Sequence, residues 1–150
     1  MTLGEVCNRE VVIATPDMSV MEAATLMKSC HVGDVVVVTE RDGHRAPIGI
    51  LTDRDIVMAL VDRAVRLPYV RVGDVMSRDV VTGVGDENLF DVIKKMQPHG
   101  VRRLPVVNAH GGLEGILTFD DLVELLSDEL SELARLMAVE QKRERLHLTV

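Results

Sequence analysis

The chain has 150 residues, a net charge of −7, 47% hydrophobic residues, and only one Tyr, two Phe and no Trp. That length suits one domain or two small halves sharing an interior built from Val, Leu, Ile and Met. The negative charge excludes an extended nucleic-acid surface, which needs clustered Lys and Arg against phosphate, and the missing aromatics exclude base-stacking platforms.

In chain order, residues 3–12, LGEVCNREVV, recur as 72–81, VGDVMSRDVV, at an offset of 69. The offset persists through Asp17/Asp86, Met27/Met96 and Val37–Val38/Val106–Val107. Such tandem similarity predicts two copies of one supersecondary unit, each too small to bury its own faces and so packed on the other. Val11–Ala14 reads as a short strand. Pro16–Ser19 reads as a turn, with Ser19 capping a helix from Val20 to about Cys30. Val20, Ala23, Ala24 and Met27 fall on one face of that helix. Val35–Val38, β-branched and continuous, predicts a strand buried on both faces. Glu40–Pro47 reads as a polar turn region, Ile48–Leu51 as a third strand, Asp53–Val61 as a closing helix, and Ala64–Arg71, with Pro68 and Tyr69, as the linker.

The second copy follows the same order. Val80–Val81 is its first strand, Asn88–Met96 its helix, Leu104–Val107 its second strand, Asn108–Gly112 a turn, and Leu113–Leu117 its third strand. A last helix then starts at Phe119. The offset falls to 66 at this point, so the loop near Arg41–Pro47 is about three residues longer than its counterpart. The expected class is α/β, as tandem β-α-β-β-α repeats packed through their sheets with pseudo-two-fold symmetry, plus an extended C-terminal helix. The expected boundaries are 1–63 and 72–128 for the repeats, 64–71 for the linker and 129–150 for the extension. On the last helix Leu122, Leu126, Leu130, Leu133 and Met137 mark one apolar face, while the sequence beyond Val139 is charged and reads as solvated. The stripe serves either as an interface between copies or as a face folded back on its own subunit.

One heptapeptide occurs twice: Gly49–Ile50–Leu51–Thr52–Asp53–Arg54–Asp55 and, 66 positions on, Gly115–Ile116–Leu117–Thr118–Phe119–Asp120–Asp121. Each places Thr three residues before Asp where a strand gives way to a helix. By itself this is a capping box, with Asp in place of the usual Glu or Gln, stabilising a helix by about 1 kcal/mol and implying no ligand.

The tandem of β-α-β-β-α units, each ending in G-h-h-T-x-x-D, resembles the CBS-domain pair, also called a Bateman module, over roughly residues 1–128. The resemblance implies two repeats packed through their sheets, with clefts for adenosine-containing ligands such as AMP, ADP or ATP. It also implies that pairs assemble as homodimeric discs. It assigns Asp55 and Asp121 to the ribose hydroxyls, with Thr52 and Thr118 beside them. The chemistry agrees, because an ionised carboxylate accepts from a vicinal diol through charge-assisted bonds of about 1.5–3 kcal/mol. Ile50 and Ile116 are aliphatic walls suited to adenine where aromatics are absent. Arg102–Arg103, leading into Leu104–Pro105–Val106–Val107, matches the family's basic pair for phosphate; the guanidinium fork is bidentate and permanently charged. The first copy departs from the pattern, with Gly33–Asp34 where the basic pair would stand. Arg54 is its alternative cation, and the two sites are expected to be inequivalent.

These features predict a non-catalytic regulatory module that binds an adenine nucleotide and reports through association with a downstream protein partner. The alternative is an interaction scaffold without ligand, in which both Thr-x-x-Asp motifs are only caps. No nucleophile–base pair, glycine-rich phosphate loop or metal-ligand spacing supports an enzyme, and no catalytic cofactor is expected. No stretch approaches the roughly 18 apolar residues of a membrane span, and no signal-peptide core opens the chain. Cys7 and Cys30 lack C-x-x-C spacing, which suits a reducing cytoplasm.

Overall fold

Val35–Val38 forms the centre of a middle strand, buried on both sides as its composition requires. The computed structural model describes residues 1–63 and 67–148, and the chain divides into two units, residues 1–117 and 118–150. The first unit opens with α1 (Leu3–Val6), β1 (Ile13–Ala14), α2 (Val20–Cys30), β2 (Asp34–Arg41), β3 (His44–Thr52) and α3 (Asp53–Arg63). After residues 64–66, which lie outside the described residues and hold the start of the expected linker, come a 3-10 turn at Leu67–Tyr69 and α4 (Val72–Val75). Then follow β4 (Gly83–Val84), α5 (Leu89–His99), β5 (Arg103–Val107) and β6 (Leu113–Thr118). The strands form two three-stranded sheets, ordered β1-β2-β3 and β4-β5-β6.

Strand alternation divides the valines. Val35 and Val37 face a core of Ala14, Val20, Ala23, Met27, Leu51 and Ile56. Val36 and Val38 face the opposite way, onto Ile116 and Leu113 of the other sheet. The sheets therefore meet face to face, and equivalent residues of the two repeats come together between them. His44 and His110, 66 positions apart, stack with ring centroids at 5.3 Å.

The repeats exchange their leading segments. In the second repeat's arm, Ser77 trades backbone hydrogen bonds with Ile50 on the outer strand of the first sheet, at 2.9 and 3.0 Å. In the first repeat's arm, Asn8 makes the same pair with Ile116, both at 2.9 Å. Val72 and Met76 fill the first repeat's core. The Leu3 N–H donates to the Glu87 carbonyl and the Gly4 N–H to the Gly85 carbonyl. This exchange accounts for the glycine that opens each heptapeptide. A Cβ on Gly49 would lie 2.9 Å from the Ser77 carbonyl oxygen, and one on Gly115 would lie 2.9 Å from that of Asn8. The arm crosses where only glycine leaves room.

Ser19 caps α2, accepting from the Glu22 N–H at 3.1 Å, with the Glu22 carboxylate reaching back to the Ser19 N–H. Asn88 caps α5, which runs three residues past the expected Met96 to Gly100 in the left-handed region, φ 60°. The same position after α2 is His31 at φ 53°. The expected turn region Glu40–Pro47 proves to be mostly strand. The reversal is confined to Asp42 and Gly43, both at positive φ (51° and 77°), the conformation that suits two-residue hairpins. Pro47 is tolerated because the ladder slips there, between Val37 and Val38. The expected strand at Val80–Val81 lies instead at Gly83–Val84, pairing in parallel with Val106 and Val107. Gly83 reads as a breaker in sequence, but it is the side-chain gap over which Leu3 and Leu104 close. At the other end, β1 covers only Ile13–Ala14 of the expected Val11–Ala14.

In the second unit α6 (Phe119–Leu148) is a single helix of 30 residues that continues through the charged stretch beyond Val139. Residues 149–150, the end of the expected extension, lie outside the described residues. Among the described residues no helix is long and apolar enough to cross a membrane.

Substituting Gly49→Ala or Gly115→Ala forces the exchanged backbone outward. Each should destabilise the fold by about 1–3 kcal/mol, read as a fall of several degrees in the thermal midpoint. A second expectation concerns acid. Burial pushes the Glu87 carboxyl up, but the Val84 N–H at 2.7 Å and the Lys95 ammonium at 3.0 Å together outweigh it, and its pKa is lowered. A carboxyl with a depressed folded pKa contributes stability above its unfolded value of about 4.3, and that stability is lost as pH falls through the lower folded value. Glu87→Gln should therefore narrow the stability difference between pH 6 and pH 3 in urea titrations.

Candidate functional site

Each Thr-x-x-Asp motif folds as the reciprocal box expected from its spacing. The Thr52 N–H donates to Asp55 Oδ2 at 2.9 Å, and the Asp55 N–H donates to Thr52 Oγ1 at 3.1 Å. In the second copy the Thr118 N–H donates to Asp121 Oδ2 and the Asp121 N–H to Thr118 Oγ1, both at 3.1 Å. Only one carboxylate oxygen is used in each box. Oδ1 of Asp55 and Oδ1 of Asp121 accept nothing among the described residues, and both side chains are half-buried. A helix N-terminus adds positive potential at such an oxygen.

Arg103 and Asp34 are equivalent positions of the two repeats, 69 residues apart, and they meet as an ion pair with side chains 30% and 20% exposed. Asp34 pairs in register with Thr52 across β2 and β3, and the neighbouring Gly33 carbonyl accepts from the Asp53 N–H at 2.9 Å. The acidic residue that breaks the family pattern therefore holds the second repeat's arginine beside the first repeat's motif. Arg102 is exposed next to it. Arg54 is exposed on the first turn of α3, with no ion pair among the described residues. Ile50 is half-buried and tied through its backbone to Ser77. Ile116 is 7% exposed and packed against Val36 and Val38, so most of its side chain is committed to the core between the sheets.

Two depressions in the first unit involve residues that motif reasoning passed over. One, about 210 Å³, is lined by Asp55 with Met58, Ala59 and Asp62 of α3 and Asp74 and Val75 of the exchanged arm. Three carboxylates line it, a poor setting for a polyanion. The other, about 400 Å³, is lined by Val80, Val81 and Val101 with Arg78, Asp79 and His99. It combines an apolar wall with a polar rim, and its volume falls in the range of small-ligand sites. Val80 and Val81 read in sequence as a strand, so nothing there marked them as a ligand wall; in the structure they and Val101 are half-buried and lie outside the strands.

A family model described as CBS domain matches residues 3–62 and again 72–128. An uncharacterized protein, MK0525, of Methanopyrus kandleri is 36% identical over 125 residues, covering 83% of this chain and 62% of that protein. The chain thus spans less than two thirds of that relative. The CBS domain-containing protein YhcV of Bacillus subtilis is 36% identical over 121 residues, 80% of this chain and 82% of that one. Among solved structures, the CBS domain pair of protein MJ0100, in complex with 5′-methylthioadenosine and S-adenosyl-L-methionine, superposes with a TM-score of 0.74 at 25% identity. It covers 86% of this chain and 98% of that one.

The pairing of Arg103 with Asp34 makes a specific double-mutant prediction. Arg103→Ala leaves a largely buried carboxylate uncompensated and should cost about 1–3 kcal/mol. Arg103→Ala with Asp34→Ala should recover part of that loss, giving a coupling of about 0.5–3 kcal/mol in denaturant melts.

Proposed function

The chain belongs to the CBS domain family, and from that premise we propose that it is a non-catalytic regulatory module. It binds an adenosine-containing ligand, AMP, ADP, ATP or a related derivative, and a downstream protein reads its occupancy. The observation that carries this reading is the free oxygen in each motif. Asp55 and Asp121 close their capping boxes through Oδ2 alone, so a vicinal diol can be bound at Oδ1 without uncapping either helix. Within the first unit, Val80, Val81 and Val101 line a depression of small-ligand size in a chain nearly without aromatic rings. Arg102 and Arg103 are the cations for phosphate, Arg103 already half-neutralised by Asp34. Asp62 and Asp74 beside Asp55 oppose an anionic ligand there, which ranks Asp121 above Asp55. The bound adenosine derivatives of the MJ0100 pair support the ligand class. Two free thiols, Cys7 and Cys30, suit a reducing cytoplasm, and the module works as a homodimer.

A thermal-shift panel of AMP, ADP, ATP, NAD and S-adenosylmethionine tests the reading. A ligand at 100 times its Kd stabilises by about 2.7 kcal/mol, a midpoint shift of several degrees for a chain of this size. An Asn side-chain oxygen can still accept from the Thr118 N–H, so Asp121→Asn should leave the unliganded midpoint within about a degree or two. Loss of the charge should nonetheless weaken the ligand by roughly tenfold or more, and Asp55→Asn should cost less. A panel without any shift at millimolar concentration would leave the motifs as caps and favour the scaffold.

A further inference from the structure

The terminal helix carries more than an apolar stripe. Of the face expected from sequence, Leu122 is 5% exposed, whereas Leu126, Leu130, Leu133 and Met137 are 39, 66, 58 and 61% exposed. Val123, 50% exposed, joins them. The steps from Val123 to Leu126, Leu130, Leu133 and Met137 alternate three and four residues. That alternation is the seam of a two-helix coil and not the wider stripe of a helix lying on a sheet. Small side chains, Ser127, Ser131 and Ala134, line the shallow groove beside the seam. They let a second helix approach near the short end of the 8–10 Å interaxial range.

Charge along α6 is divided. Between Phe119 and Ala134 there are six carboxylates and no base; from Arg135 to Leu148 there are four bases against two carboxylates. Complementing the helix dipole explains acids in the first turn and bases in the last, but that effect fades beyond one turn. Asp128, Glu129 and Glu132 lie well past it. A parallel partner helix would set acid against acid over this whole length. An antiparallel copy sets the acidic half of each helix against the basic half of the other.

We propose that two copies of this chain pair through α6 in antiparallel orientation, about a point between Leu133 and Ala134. This rests on the reading of the module as an assembling protein and names the surface and its polarity. In that register Leu130 lies beside the partner's Met137 and Glu124 beside the partner's Arg143. Covering five such side chains removes roughly 500 Å² per copy, about 1,000 Å² in all, at the threshold of a specific interface.

The test is disulfide trapping in the full chain with Cys7→Ser and Cys30→Ser and no nucleotide present, so a failed ligand panel leaves it unaffected. In the proposed register two copies of position 133 face each other within the roughly 7 Å that a disulfide spans. Two copies of position 123 lie about 30 Å apart along the axis, at 1.5 Å per residue. Leu133→Cys should therefore give at least about tenfold more covalent dimer than Val123→Cys under mild oxidation. Equal trapping at both positions means a parallel pair and overturns the proposal. A dimer by light scattering without trapping at position 133 moves the interface off α6, and a monomer at micromolar concentration removes it; either outcome also overturns the proposal. Leu130→Glu with Leu133→Glu should raise the dissociation midpoint to the micromolar range or above while the far-UV spectrum is kept.

Discussion

Ile50 and Ile116 sit on outer strands whose unpaired N–H and C=O groups would otherwise meet solvent or another chain, and each is satisfied by backbone from the opposite repeat. Much else follows from that exchange. The arms carry Leu3, Val72 and Met76 into the interior of the repeat they join, so neither core is complete without the other copy. They cross directly over Gly49 and Gly115, which gives those residues a steric reason that owes nothing to any ligand. The glycine and the Thr-x-x-Asp of one heptapeptide thus answer to different demands, one to the crossing arm and the other to the helix start.

Pseudo-symmetry fixes where chemistry differs between the halves. Equivalent positions come together between the sheets, as the stacked His44 and His110 show. Where they carry opposite charge, as Asp34 and Arg103 do, the approach becomes an ion pair. A symmetric Arg–Arg encounter there would be repulsive in a low-dielectric setting. The departure of the first repeat from the basic pattern is therefore what lets the second repeat keep its arginine at the interface. The same substitution makes the two motifs inequivalent.

Much of this was legible in residues. Ser19 with Glu22, the face Val20–Ala23–Met27, the valine run and both capping boxes follow from local rules of spacing and hydrogen bonding, and local rules need no partner. The exchange of arms was not legible, because an offset of 69 says that two segments are alike and not which copy each one joins. Asp42–Gly43 carried a hairpin signal, hidden by the flanking Glu40, Arg41, His44 and Arg45, whose polarity reads as loop. Asp34 was visible as an anomaly; its meaning depended on Arg103 standing opposite. Val80 and Val81 read as a strand that forms three residues later, and nothing in their spacing, or that of Val101, pointed to a depression.

The exchange also imposes a timetable on synthesis. As the ribosome releases the first repeat, β3 has an open edge and the core beneath it lacks Val72 and Met76, which are still to be translated. The N-terminal arm waits longer still, until Ile116 has emerged. During that interval the nascent chain presents a strand edge and an unfilled apolar hollow, surfaces that invite holding by a chaperone or capture by a neighbouring chain. Two polysome-bound copies trading arms would satisfy the same hydrogen bonds as one chain closing on itself, so fidelity rests on the linker delivering its own arm first.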